Sequence, residues 1–466
     1  MPRLIRLESL PTRAELSRMM RLALPVVVVQ VGIMLMGVVD TIMVGRVSAA
    51  ALASVAIGNL YFFVLSVFGL GVLLALDPVV AQAVGAGDDV AIARSIQRGL
   101  VLTLVLSAVI GAALMFAEPL LRLARQPAEV IPDAAGYARA CVPGLPAFLA
   151  FGVFRQSLQA MRRMRAIVIT IVVANLANIG LNWAFIFGHL GLPPMGAVGS
   201  AWASTCSRWL AAIAVVVAAW PTLRPYLIPL RRDAIALPPL GRMLRLGVPI
   251  GFQQQLEGGA FAAIGLLMGI FGTVEVAAHQ VAINLASLAF MVPLAVGAAG
   301  AVMVGHAIGS GDAPAARRAA GAALICGTGF MCASASIFLL APGMLARLYT
   351  TDPAVLALAG VLIPIAGVFQ IADGMQAVST GVLRGAGDTR VPLLLVLLGF
   401  WLVGTPVSLY LAFRTPVGPA GLWWGLVAGL GTVAILLVLR VRARLRGQLQ
   451  RVLMDDEHPM QSLPTP

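Results

Sequence analysis

The sequence predicts an all-α polytopic membrane protein whose twelve transmembrane helices form two pseudo-symmetric six-helix bundles. Three observations predict this class: the composition, the length of the apolar runs and an internal repeat. Of the 466 residues, 60% are hydrophobic and 11% are charged, and the mean hydropathy is +0.96. Soluble domains carry about 25% charged residues, so the composition excludes an ordinary soluble protein.

The first apolar run, residues 22–45, shows how each helix is assigned. It is long enough to span a bilayer, too long for a signal-peptide core, and contains one acid, Asp40. Apolar runs separated by charge clusters and Gly/Pro breaks predict twelve such helices. In order they cover 22–45, 51–82, 93–116, 131–158, 165–187, 196–220, 244–270, 275–305, 315–340, 354–383, 391–413 and 418–440.

The two halves of the chain repeat each other. Pro25 matches Pro249, and the string VGAGD at 84–88 matches IGSGD at 308–312, with the same separation along the chain in both cases. Farther along, Arg162 matches Arg384 at nearly the same separation. Two units of the same orientation follow, related by an axis near the membrane normal.

The arginines predict the orientation of the helices. The chain has no lysine, 32 arginines and a net charge of +13. The arginines lie in short clusters between apolar runs, which is the pattern of the positive-inside rule and not of nucleic-acid binding. With both termini in the cytoplasm of a bacterial plasma (inner) membrane, seven arginines fall outside or within the membrane: Arg46, Arg122, Arg125, Arg139, Arg208, Arg347 and Arg414.

Five segments follow from these assignments. The stretch Pro221–Leu240 contains five prolines among charges and predicts an irregular connector on the inner side. The predicted organisation is a cytoplasmic N-terminal segment (1–21), an N-lobe (22–220), a cytoplasmic linker (221–243), a C-lobe (244–440) and a cytoplasmic tail (441–466).

Three acids within the predicted helices are candidate functional residues: Asp40, Glu257 and Asp373. A carboxylate at the centre of a membrane helix costs about 2.5–3.5 kcal/mol on insertion scales, and no arginine is predicted at the depth of these three. The architecture does not need an acid at these positions, because the repeat places apolar residues at the equivalent sites: Ile264, Ile33 and Phe151, respectively. We therefore interpret the acids as functional.

Amide side chains accompany the acids on single helix faces, which predicts one polar pocket in each half. In the first half the face carries Asn175, Asn178 and Asn182. In the second half the faces carry Gln253, Gln254 and Glu257; Gln280 and Asn284; and Gln370, Asp373, Gln376 and Thr380. The alternative for each amide is interhelical hydrogen bonding at about 0.6–2 kcal/mol per contact.

The remaining polar residues predict structural roles. Asp88 and Asp312 precede helices in Gly-rich loops and are predicted N-caps, whereas Asp77, before Pro78, is ambiguous. The four cysteines show no CxxC pair, the histidines are scattered, and P-loop, GxGxxG, HExxH and GxSxG strings are missing. The sequence therefore predicts neither an enzyme nor a cofactor.

Six strings in order, MGVVDTIMVGRVS, PVVAQAVGAGD, NIGLNW, AAHQVAIN, VGHAIGSGD and GVLRGAGDTRVP, resemble the multidrug and toxic compound extrusion (MATE) transporters of the NorM type. The resemblance covers residues 22–440. It implies two six-helix lobes in a V that export small organic, mostly cationic, drugs in exchange for Na⁺ or H⁺. It also implies an N-lobe site of Asp40 with Asn178 and Asn182.

In the C-lobe the resemblance implies a cation site, with Na⁺ as one candidate, at Glu257 and Asp373, with Gln280 and Phe290 nearby. Partners would be the drug and membrane lipid, with the protein a monomer. A carboxylate in such a cavity can be neutralised by a proton, Na⁺ or an organic cation, and this competition would provide coupling. Two alternatives stay open: a flippase for lipid-linked precursors, which would need a more basic cavity, and a membrane-embedded enzyme or receptor.

Overall fold

The structure, a computed structural model, describes residues 11–124 and 126–455, except for the side chain of residue 49. Within these ranges the chain forms helices joined by short loops, without a β-strand. The predicted all-α class is therefore confirmed. Of the predicted terminal segments, residues 1–10 and 456–466 lie outside the described residues, as does Arg125.

The first half contains nine α-helices, of which all but the short α5 form six long membrane segments, because α2 with α3 and α6 with α7 each continue one another. A 3₁₀ turn, Val142–Gly144, joins α6 to α7. The helices are α1 (Arg13–Gly45), α2 (Ala49–Leu73), α3 (Leu76–Ala86), α4 (Asp89–Met115), α5 (Ala117–Leu123), α6 (Ile131–Cys141), α7 (Leu145–Ala160), α8 (Met164–Phe187) and α9 (Gly196–Ala218).

The connector and the second half contain nine more α-helices. A π-helical stretch, Leu397–Gly404, lies between α16 and α17. The helices are α10 (Trp220–Leu227), α11 (Leu237–Phe271), α12 (Thr273–Gly309), α13 (Ala313–Leu340), α14 (Pro342–Arg347), α15 (Pro353–Gly385), α16 (Arg390–Val396), α17 (Thr405–Arg414) and α18 (Pro419–Arg446).

Eleven helical stretches of the described chain are long and apolar enough to cross a membrane. The twelfth predicted helix is α11, which is 35 residues long but carries Gln253, Gln254, Gln255 and Glu257 close together. These polar residues lower its hydropathy without shortening it. The twelve predicted membrane helices are therefore all present.

The prediction that helical structure begins at residue 22 is wrong. Helix α1 begins at Arg13, where Thr12 and Glu15 form a capping box: the Thr12 hydroxyl accepts from the Glu15 N–H (3.2 Å) and the Glu15 carboxylate accepts from the Thr12 N–H (2.8 Å). The apolar run shows only where the charged residues end. The helix itself begins earlier, in two to three charged turns that precede the run.

The predicted irregular connector is also wrong in part. Pro221 occupies the first turn of α10, and Pro238 and Pro239 occupy that of α11, where the missing N–H needs no partner. A 3₁₀ turn, Arg232–Ile235, separates the two helices. The prolines therefore start helices at 220 and 237. The division into two lobes at 221–243 stays a prediction.

The buried apolar core shows that α1 packs with both halves of the chain. Near its start, Met19 and Ala23 join a large cluster of second-half side chains. One turn farther on, Val26 and Val29 join a cluster that includes Phe151 of α7. Helix α1 therefore belongs by sequence to the first half and by packing to both.

The repeated Gly-rich strings lie at a close approach of the two halves. A Cβ atom on Gly85 of α3 would overlap the main chain of His306 of α12, and one on Gly309 of α12 would overlap the Gln82 carbonyl of α3. The next residues, Asp88 and Asp312, accept from the N–H groups of Ala91 (2.9 Å) and Ala315 (2.8 Å), so both predicted N-caps are confirmed. The repeat thus encodes a paired close contact.

The described end of the tail, residues 448–455, packs against α3 and α4 of the first half. The Val452 N–H donates to the Gln82 side chain (2.7 Å), whose amide nitrogen donates to the Gly385 carbonyl (2.9 Å). Asp455 forms an ion pair with Arg98 (2.6 Å). We call residues 448–455 the tail strap; through Gln82 it touches both halves.

Candidate functional site

Asp40 lies in a buried polar cluster built by three helices of the first half. It is near the end of α1, and its carboxylate accepts from the Asn182 amide of α8 (2.5 Å) and from the Ser204 hydroxyl of α9 (2.9 Å). Asn182 also donates to Asn178, one turn away (3.1 Å). The structure therefore brings Asp40, Asn178 and Asn182 together, as the sequence predicts.

The cluster retains free hydrogen-bonding capacity. Within the described chain, the Asn182 amide oxygen is buried without a partner, and the Asn178 amide nitrogen interacts with the Asp40 carboxylate but makes no hydrogen bond of good geometry. A buried polar atom without a partner costs roughly 1–3 kcal/mol. A ligand that supplies one acceptor and one donor would remove that cost, so the cluster is suited to binding and not only to holding helices together.

Ser204 and Arg208 are the members of this site that the sequence did not predict. The guanidinium of Arg208, one turn from Ser204, stacks on Phe62 (4.0 Å to the ring centroid) and interacts electrostatically with Asp40. The argument that no arginine lies at the depth of the acids is therefore wrong for Asp40. Both residues belong to α9, whereas the amides that the sequence singled out belong to α8, and only tertiary packing reveals either contact.

Asn175 lies apart from the Asp40 cluster. Its amide nitrogen donates to two main-chain carbonyls, those of Gly32 of α1 (3.0 Å) and of Ile171, one turn back on its own helix (2.9 Å). This is the interhelical role that the sequence left as the alternative. Asn175 therefore fixes the crossing of α1 and α8 and has no direct contact with Asp40 among the described residues.

The second half places Glu257 of α11 beside Asp373 and Gln376 of α15. Glu257 shares a hydrogen bond with the Gln376 amide and interacts electrostatically with Asp373. In the described chain, the Asp373 Oδ1 and the Gln376 Oε1 are buried and unpartnered. Two carboxylates and an amide oxygen therefore face one another with spare acceptor capacity.

This donor set fits a hard cation or a proton. Carboxylate and carbonyl oxygens suit Na⁺-like ions, and a proton shared between two carboxylates relieves their repulsion. The described residues contain no cluster of three or more His, Cys, Asp and Glu side chains that could hold a metal. Glu257, Asp373 and Gln376 are the residues that would hold the ion.

Other predicted polar residues of the second half form separate contacts. Gln253 donates to Thr380 (3.4 Å), which joins α11 to α15 one turn from the acids, and Gln370 accepts from Ser334 of α13 (2.8 Å). Gln280 donates to Asn284 on α12 (3.1 Å). The supporting roles of Gln254, Phe290, Gln280 and Asn284 stay predictions.

A buried charge pair joins the two halves. Asp77 of α3, whose side chain is 1% exposed, pairs with Arg384 of α15 (2.9 Å), and Arg155 of α7 acts electrostatically on both. Arg155 also donates to Gln30 of α1 (3.0 Å). The ambiguous Asp77 is therefore an inter-half contact that the sequence could not reveal, because its partner lies in the other half of the chain.

The chain matches one family model, MatE, over residues 25–184 and 249–410. It is 36% identical over 436 residues to the multidrug resistance protein PmpM of Pseudomonas aeruginosa, covering 92% of this chain and 91% of that protein. It is 38% identical over 429 residues to the multidrug resistance protein NorM of Burkholderia vietnamiensis, covering 90% and 92%.

Solved structures share the fold. The crystal structure of the eukaryotic MATE transporter AtDTX14 matches with a TM-score of 0.84 at 23% identity, covering 93% of this chain and 98% of that one. An outward-facing multidrug resistance MATE family transporter of the MOP superfamily matches with a TM-score of 0.83 at 21% identity, covering 93% and 96%.

Proposed function

Because the chain belongs to the MatE family of transporters, we propose that it is a secondary active multidrug efflux antiporter that exports organic, mostly cationic, compounds in exchange for Na⁺ or H⁺. One observation carries the proposal: each half buries an acid-containing cluster with unpartnered polar atoms, at Asp40 and at Glu257 with Asp373. It acts as a monomer in the bacterial inner membrane, with both termini in the cytoplasm.

The two sites have different tasks in this proposal. The Asp40 cluster offers a carboxylate, amides and a nearby aromatic pair, Phe62 and Phe148, which suits an organic cation. The Glu257 and Asp373 site offers closely spaced oxygens, which suits Na⁺ or H⁺. Relatives that share 36–38% of their residues over most of their length are named multidrug resistance proteins.

Coupling follows from charge. A cation at either site neutralises buried negative charge. An ion that enters from outside therefore lowers the affinity of the protein for the organic cation, which then dissociates. Alternating access comes from the two lobes, 22–220 and 244–440, rocking about the 221–243 connector. The close α3 and α12 contact at Gly85 and Gly309 is the inner seam that this motion would open.

The test is drug efflux from proteoliposomes under an imposed Na⁺ or H⁺ gradient. We expect Asp40→Asn, Glu257→Gln and Asp373→Asn each to reduce gradient-driven efflux at least tenfold in folded protein, because each removes a charge that a cation must neutralise. The matched control is Asp352→Asn, which removes one charge from an exposed N-cap where asparagine caps equally well. Full efflux in the double variant Glu257→Gln and Asp373→Asn would remove the C-lobe site from the mechanism.

A further inference from the structure

Six arginines on the predicted inner side of the protein have acidic partners within the described chain. These pairs hold loops and helix ends together, so their charge is already compensated. They join Arg94 to Asp233 and Asp455, Arg98 to Asp455, Arg318 to Glu15, Arg384 to Asp77, Arg440 to Asp388 and Arg451 to Asp88.

The loop between α7 and α8 instead brings together three arginines that have no acidic partner among the described residues. Arg162, Arg163 and Arg165 line a pocket of about 500 Å³ whose other walls are residues 164 and 166 of α8 and Ala218, Ala219 and Thr222 from the inner ends of α9 and α10. No acid lines the pocket, and no acid of the described chain pairs with these arginines. With three arginines and no acid in its lining, the pocket is positively charged. Loss of hydration and the charge of Arg18 lower the pKa of Arg162, so a ligand that brings negative charge there would be favoured.

The internal repeat shows that the fold does not require these arginines. The same pair of main-chain hydrogen bonds closes the turn in each half, and this matches Arg162 with Gly387 and not, as the sequence repeat predicts, with Arg384. Both residues are left-handed, with a φ of 59° at Arg162 and 74° at Gly387, a conformation that favours glycine or asparagine. The next residue, Arg163, matches Asp388, so the fold tolerates glycine and an acid where this loop has Arg162 and Arg163.

An exposed apolar surface continues from this pocket toward the membrane interior. On α8, Ile169 is one turn from the pocket wall and 57% exposed. On α9, Val217 (69% exposed) and Ile213 (57%) extend in the same direction, and Trp220 (39%) follows Ala219 of the pocket wall in the chain. Tryptophan is enriched at the level of lipid headgroups. A ligand with a charged head and apolar chains matches both surfaces at once.

We propose that this pocket binds an anionic phospholipid of the inner leaflet, with its phosphate on Arg162, Arg163 and Arg165 and its acyl chains along α8 and α9. Arginine guanidinium groups bind phosphate oxygens in a bidentate manner and desolvate more easily than lysine. A free phosphate would use the arginines but not the exposed apolar stripe. The site does not depend on the proposed antiport, because it lies outside both acid clusters.

The test is native mass spectrometry of protein released from micelles that contain equal amounts of phosphatidylglycerol and phosphatidylcholine. Wild-type protein is expected to retain phosphatidylglycerol in preference to phosphatidylcholine. Each arginine near an anionic surface contributes about 1 kcal/mol, or about fivefold in affinity, so R163Q/R165Q is expected to weaken phosphatidylglycerol binding by roughly 30-fold. The matched control, R442Q/R446Q, removes two exposed arginines of α18 and keeps the preference.

Three results would overturn the proposal. Equal loss of phosphatidylglycerol in both double variants would make the effect one of net charge alone. Displacement of the lipid by millimolar inorganic phosphate would make it a soluble-anion site. The third needs no variant: if hydrogen exchange of residues 160–166 in wild-type protein is the same in phosphatidylglycerol and phosphatidylcholine nanodiscs, no lipid headgroup occupies the pocket.

Discussion

At the scale of single residues, Asp40 is held by donors from two other helices, Asn182 of α8 and Ser204 of α9. A buried carboxylate needs such donors, because an unpaired charge in a low-dielectric interior is costly. The donors also fix which way the carboxylate points. The position of the charge, and with it the fit of a cationic ligand, therefore depends on residues that carry no charge themselves.

Ser204→Ala should reduce drug efflux several-fold while lowering stability by about 1 kcal/mol, because one hydrogen bond to the Asp40 carboxylate is lost. Efflux and thermal unfolding in detergent measure the two effects. The control is Ser207→Ala on the same helix, since that hydroxyl donates only to the Ala203 carbonyl of its own helix (2.8 Å). If both variants transport equally well, the Ser204 hydroxyl does not position the carboxylate.

The sequence predicted the acids and the amides of these sites but not their hydroxyl and arginine neighbours. Asn178 and Asn182 stand out because amides are rare in an apolar run and share one face at helical spacing. Ser204 and Arg208 lie on α9, where small residues are common and one arginine fits a membrane border. Only the packing of α9 against α1 shows which of its polar residues reach the site.

At the scale of helices, the two halves share an architecture but differ in local geometry. The α8 stretch that carries the three asparagines matches Leu397–Gly404 of the second half, and that stretch is π-helical. There the Trp401 indole donates to the Leu256 carbonyl (3.1 Å), next to Glu257. Single-sequence patterns do not reveal a π-helical stretch, because its residues are as apolar as those of an α-helix.

The close contact of α3 and α12 gives a prediction for helix packing. Gly309→Ala would place a methyl group against the Gln82 carbonyl, so it should lower stability by about 1–3 kcal/mol through overpacking. Thermal unfolding measures the change. Gly329→Ala on α13 is the control, since no atom lies within 4 Å of its added Cβ, and it should be neutral or slightly stabilising. Equal effects of the two changes would mean that α3 and α12 separate without cost.

At the scale of the whole molecule, the tail strap connects the chain's end to both halves. Burial raises the pKa of Asp455, but its ion pairs with Arg98 and Arg94 outweigh burial and hold the pKa below its usual value. Burial likewise raises the pKa of Asp88, but the hydrogen bonds from the Ala91 N–H and Arg451 lower it by more, so the pKa lies below its usual value. Both groups are therefore charged and paired at neutral pH.

The strap should stay closed from neutral pH down to about pH 4, the ordinary aspartate pKa. A lowered folded-state pKa means that the stabilisation is complete above the unfolded pKa and is lost as the pH falls through the lower folded value. Hydrogen exchange of residues 448–455, corrected for the intrinsic rate at each pH, measures this opening. Release of the strap between pH 5 and 7 would contradict the assigned pairs.

Asp455→Asn should open the strap at neutral pH and leave the fold intact. Hydrogen bonds to charged groups contribute about 1.5–3 kcal/mol, so exchange of residues 448–455 should become about tenfold faster or more. Asp352→Asn serves again as the control, because that cap lies far along the chain from the strap. Unchanged protection in Asp455→Asn would show that the other contacts of the strap, such as Arg451 with Asp88 and the Val452 N–H with Gln82, hold it without Asp455.

The pair of Asp77 and Arg384 has a consequence for how the chain is made. Translation delivers the acid to the membrane long before its partner, which lies in the second half. Until α15 inserts, Asp77 lies in a membrane segment with the charge of Arg155 nearby but without its ion-pair partner Arg384, and an acid in a membrane helix costs about 2.5–3.5 kcal/mol on insertion scales. A nascent chain that ends before Arg384 should therefore remain open to proteases at α3. The first half would then become resistant to proteases only after the second half has been synthesised and inserted.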